Sequence, residues 1–184
     1  MSFVSPVSVS VPGLEVSLGL LLARLVVGGY MAAHGAQKLW GWFGGYSAEA
    51  TAGFFESIGY RPGRLFVAMA AGTEVLSGVL VMLGLFGPVG PALMIAVMIV
   101  AAVTVHWAHG WFVANNGIEL TLMFAASAVV LALTGFGTLS LDHVLHLSGY
   151  YTPTLASLAV VGGVMGGVIG LVVRSPRAPD TQEG

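Results

Sequence analysis

Five runs of mostly apolar residues, 18–40, 65–86, 89–108, 118–136 and 154–173, are separated by short polar or glycine- and proline-rich breaks. Each approaches the roughly 20 residues that a helix needs to cross the hydrocarbon core of a bilayer, so the pattern predicts five membrane-spanning helices. Between the first two runs, in SAEATAGFFESIGY (47–60), Phe54, Phe55 and Ile58 recur at helical spacing opposite Glu49 and Glu56. That stretch is too short and too polar to cross, and it is predicted to lie in the interface as an amphipathic helix. The link FGPVGP (86–91) reads as a tight turn, which makes the second and third runs an antiparallel hairpin.

Composition agrees with this pattern. Of 184 residues, 57% are hydrophobic and 8% charged, against about one-quarter charged in ordinary soluble domains. The net charge of −2 supplies no basic field for nucleic acid, which is set aside as a partner. With no cysteine, the chain by itself can form no disulfide, thiolate nucleophile or iron–sulfur ligand set. The opening MSFVSPVSVSVPGLE has no positive n-region of a cleaved signal and is expected to be retained as a short extramembrane lead-in (1–17).

Orientation follows from the positive-inside rule. Arg61 and Arg64 follow the first run and Arg174 and Arg177 the fifth, while the second and fourth loops lack Lys and Arg. Both arginine pairs share a side only if an even number of spans lies between them. Five spans are therefore expected, with the N-terminus outside and the C-terminus cytoplasmic. The fifth run carries Gly162, Gly163, Gly166, Gly167 and Gly170, so it is suited to close helix packing, either within its own bundle or as the face of a homo-oligomer.

Ionisable groups inside a bilayer are costly and need partners. Here they are Arg24, His34 and Lys38 in span one, Glu74 in span two, His106 in span three and Glu119 opening span four. Counting about 1.5 Å per residue from an interface at Trp40 and Arg64 sets His34 roughly 9 Å, Glu74 roughly 15 Å and Arg24 roughly 24 Å deep. An ion pair of Arg24 with Glu74 is expected, because a buried unpaired charge costs several kcal/mol. It would be architectural, or would also line a ligand cavity.

His34, Gln37 and Lys38 are related by helical steps and share one face. The loop HWAHGWFVANNGIE ends on the same side, so His106, His109 and Glu119 are expected to join them in one polar zone. Interface anchoring accounts for the tryptophans and for Lys38 without any function. Beyond that, the His106-x-x-His109 step could hold a metal with Glu119, although no Glu-x-x-His motif accompanies it. His34 and His106 could be the axial ligands of a haem. A quinone or similar amphipathic redox ligand could take hydrogen bonds from His34 and Lys38 while aromatic side chains pack its ring. His143 and His146, beside Asp142, fall on the opposite side and read as a short amphipathic interfacial stretch.

Taken together, RLVVGGYMAAHGAQKLWGWFGG, TAGFFESIGY, AGTEVLSGVLVMLGLF and HWAHGWFVANNGIEL resemble the DoxX family of bacterial membrane proteins over about residues 18–136. The resemblance implies a four-helix membrane bundle in which Arg24, His34, Gly35, Lys38, Glu74, His106, Gly117 and Glu119 occupy the family's motifs. It also implies redox company: a DoxX-like subunit belongs to archaeal thiosulfate:quinone oxidoreductase, and actinobacterial members are linked to superoxide dismutase and a sulfurtransferase.

The expectation is an all-α membrane protein. Its parts are a DoxX-like four-helix domain (18–136), an interfacial connector (137–153), a glycine-rich fifth transmembrane helix (154–173) and a disordered cytoplasmic tail (174–184). It would sit in the bacterial cytoplasmic membrane as a subunit binding a quinone-like ligand through His34, Gln37, Lys38, His106, His109 and Glu119, docking oxidoreductase subunits. No self-sufficient catalytic motif is visible, so enzyme activity stays open. The rival is a structural or assembly scaffold whose buried polar residues only specify packing.

Overall fold

A computed structural model describes residues 13–175, so most of the expected lead-in, most of the expected tail and Arg177 lie outside the described residues. Every principal element among them is helical: α1 (Leu14–Trp40), α2 (Ala48–Ser57), α3 (Gly63–Leu83), α4 (Val89–Ala101), α5 (Glu119–Thr134), α6 (Leu141–Val144) and α7 (Pro153–Val172). After Ala101 the chain of α4 widens into a π turn over Ala102–His106 and tightens to a 3₁₀ turn over Trp107–His109. Among the described residues four helices are long and apolar enough to cross a membrane: α1, α3, α4 with its extension to His109, and α7. The protein is thus an all-α, multi-pass membrane bundle, and its lipid-facing helices contact the bilayer. The apolar α5 has 16 residues, about 24 Å of helix.

Local signals set the boundaries. Gly41 and Gly84 end α1 and α3 in the left-handed conformation that a glycine tolerates. Thr152 caps α7 by accepting from the Leu155 amide, with Pro153 in the first turn. Ser47 opens α2, which packs on α3. The helices run alternately up and down, α1 against α3, α3 against α4, and α4 against both α5 and α7. A core of Met31, Val81, Met94, Met98, Phe124 and Leu131 fills the centre.

Glycine sets the close approach of α1 and α3. A Cβ on Gly28 would lie 2.5 Å from the Gly78 carbonyl oxygen, and one on Gly35 2.5 Å from that of Ala71, so α1 and α3 meet backbone to backbone. The glycines of α7 work the same way inside the molecule: Gly163 abuts Ala92 of α4 and Gly167 abuts Ile99. This contact with α4 buries Gly163 and Gly167, while Gly162 and Gly166 stay exposed.

The same register corrects a depth. Because Gly35 meets Ala71 and Gly78 meets Ala32, Glu74 lies level with His34 and about 15 Å from the level of Arg24. Arg64 is not level with Trp40 but about one turn beyond it, since α3 starts further out than α1 ends.

Candidate functional site

Glu74 is 1% exposed, and its partner is Lys38, whose ammonium reaches back along α1 to bond Oε1. The expected Arg24–Glu74 pair does not form, because the register puts the two side chains at different depths. Glu74 Oε2 is buried with no partner, so the carboxylate depends on one charged bond.

Arg24 has its own site near the opposite end. Fully buried, its guanidinium donates to the carbonyls of Met82 and Leu139 and lies 5.6 Å over the Phe136 ring. The carboxylate whose charge it feels is Asp142. The Asp142 side chain, 2% exposed, accepts from the amides of Phe86 (2.9 Å) and Gly87 (2.7 Å), clamping the turn between α3 and α4. Asp142 is therefore a buried structural anchor rather than part of an exposed stretch, whereas His143 and His146 are exposed as expected of an interfacial segment.

The expected single polar zone divides. His34 and Gln37 line a groove of about 890 Å³ between α1 and α5, together with Tyr30, Phe43, Phe124 and Ser127. The His34 ring meets Phe124 edge-on across it, centroids 5.8 Å apart, and Gln37 Nε2 donates to the Phe43 carbonyl at 3.3 Å. Lys38 is on the same helix but turns to α3. His106, His109 and Glu119 do not line the groove. His106 Nδ1 pairs with the Asn116 carbonyl (2.7 Å) and His109 Nδ1 with that of Val105 (2.9 Å), while Glu119 accepts from the Val113 amide (2.8 Å). These bonds fold the loop 107–119 on itself, which is why its polar side chains stay there.

Among the described residues no three His, Asp or Glu side chains gather as a metal-ligand set. Outside the spans, Tyr60 is 3% exposed and donates to the Gly170 carbonyl at 3.0 Å; burial pushes its phenol above the ordinary value, and the nearby Arg174 works against that rise.

The DoxX family model matches residues 19–107, from the first turns of α1 to the end of the π turn in α4. Residues 19–107 are a DoxX domain. This DoxX match contains Arg24, His34, Gln37, Lys38, Glu74 and His106, and it stops short of His109, Glu119 and α5. The α1 wall of the groove is thus part of the DoxX domain, while its α5 wall lies beyond the matched residues. No curated protein and no solved structure matches the chain.

Proposed function

We propose that this DoxX-domain protein is a membrane subunit, non-catalytic or weakly catalytic, whose groove between α1 and α5 takes a quinone-like redox ligand from the bilayer. The observation that carries the reading is the groove itself: apolar walls, an aromatic at either end of the polar patch, and two side chains, His34 and Gln37, able to hydrogen-bond a carbonyl. Apolar clefts with a few convergent polar groups are the usual form of a small-molecule site. Lipid-side access is supported by Val26 and Tyr30, 47% and 65% exposed on the groove's α1 wall. In this reading His34 donates to one ligand carbonyl, the free N–H of Gln37 supports it, and Phe124 packs the ring. Lys38, His106, His109 and Glu119 are left to architecture.

Lys38, Arg61, Arg64 and Arg174 belong to one end of the bundle, which the positive-inside rule assigns to the cytoplasm of a bacterial plasma membrane. That end, where Trp107 and Trp111 stand exposed in the 107–119 loop, is the side on which oxidoreductase partners would dock.

Titrating a short-chain quinone into the detergent-purified full chain, read by tryptophan quenching, tests the site. His34→Ala and Gln37→Ala together should weaken binding about tenfold or more, since each lost hydrogen bond contributes about 1 kcal/mol, with folded yield unchanged. Undiminished binding in the double variant would remove the proposal. The scaffold reading is favoured by one observation, the pairing of Lys38 with Glu74 away from the groove; it predicts no quinone binding by the wild-type chain at all.

A further inference from the structure

A second opening shares no residue with the groove. It is a slot of about 390 Å³ between α3, α4 and α7, with α2 at its foot. Its α3 wall is Phe66, Ala70 and Thr73, and its α7 wall is Gly166, Gly170 and Val173. Each set spans seven residue steps, so the slot runs about 10 Å parallel to the helices and hence to the membrane normal. Small residues make it: Gly166, Gly170 and Ala70 leave room where larger side chains would close the seam between helices.

The foot of the slot is basic. Tyr60, bonded to Gly170, closes the bottom, and the residue after it is Arg61; Val173 ends the α7 wall, and the residue after it is Arg174. Arg174 Nε holds the Ile58 carbonyl, which fixes its guanidinium beside the loop between α2 and α3. The carboxylates of this end are otherwise engaged: Glu49 pairs with Arg64 and Glu56 accepts from the Gly63 amide. Among the described residues neither Arg61 nor Arg174 has a carboxylate partner.

An apolar slot along the membrane normal, open to lipid and footed by two such arginines, fits one occupant. We infer that it binds an anionic phospholipid, with an acyl chain lying between α3 and α7 and the phosphate at Arg61 and Arg174. Basic pockets between membrane helices are a recurring form of anionic-headgroup recognition.

Native mass spectrometry of the full chain in detergent, with phosphatidylglycerol or phosphatidylcholine of matched acyl chains, tests this. At roughly fivefold in affinity per arginine near the headgroup, the wild-type chain should prefer phosphatidylglycerol by about thirtyfold. Arg61→Gln, at an exposed side chain, should cut that preference about fivefold, and adding Arg174→Gln should abolish it. Gly166→Leu, which puts a side chain into the slot on a helix that tolerates leucine, should release both lipids. Equal retention of the two lipids by the wild-type chain, an unchanged preference in Arg61→Gln/Arg174→Gln, or full retention in Gly166→Leu would each overturn the proposal. None of these outcomes bears on the quinone titration.

Discussion

Replacing Lys38 by Met should destabilise the bundle more than replacing its partner Glu74 by Gln, although each change removes the same ion pair. The asymmetry follows from exposure: the Lys38 side chain is 32% exposed and that of Glu74 1%. Without Lys38, a buried carboxylate has neither of its oxygens paired, because Oε2 already lacks a partner. Removing one member of a buried pair costs about 3–5 kcal/mol. In Glu74→Gln the orphan is the lysine, which can extend its ammonium toward the headgroups, so the loss falls to that of a charged hydrogen bond, about 1–2 kcal/mol. The variant carrying both changes should be more stable than Lys38→Met alone, because it buries no charge. Unfolding of the purified protein in mixed micelles with rising dodecyl sulfate, followed by tryptophan fluorescence, gives the three values. If Lys38→Met costs no more than Glu74→Gln, or if the double variant shows the simple sum, the pair does not neutralise Glu74 and the reasoning fails.

Gly78→Leu should prevent the close approach of α1 and α3, since even its Cβ would stand 2.5 Å from the Ala32 amide nitrogen; a loss above about 3 kcal/mol or failure to fold is expected in the same assay. Asp142→Ala strips the acceptors from two backbone amides of the 84–88 turn and should cost about 2–4 kcal/mol, with faster amide exchange at Phe86 and Gly87 by mass spectrometry. Stability should fall as pH rises above about 10, because the unfolded chain releases the Tyr60 proton there while burial retains it in the fold. In Tyr60→Phe the alkaline fall should be shallower, with the Tyr151 phenol, also pushed up by burial, supplying the remainder.

The hydrophobic pattern alone gave the order of the apolar helices, the short helix α2 and the α3–α4 hairpin, because each depends on a local run of residues and its flanking turn; of the five runs expected to span, the fourth is the 16-residue α5, shorter than the other four. The motif residues gave the DoxX domain because they too are local. What the sequence could not carry was register. A shift of one turn between α1 and α3 decides whether Glu74 meets Arg24 or Lys38, and that shift is set by where Gly28, Gly35 and Gly78 let two backbones touch. Facing was equally hidden: His34, Gln37 and Lys38 share a helical face by spacing, yet the first two border α5 and the third bends to α3, because neighbouring helices flank that face on both sides. Asp142 shows the limit from the other direction, since a carboxylate in a polar connector became buried only when the fold brought the amides of Phe86 and Gly87 to it. Local chemistry wrote the helices; the contacts between helices, which no single segment contains, decided which polar side chains pair and which face the lipid.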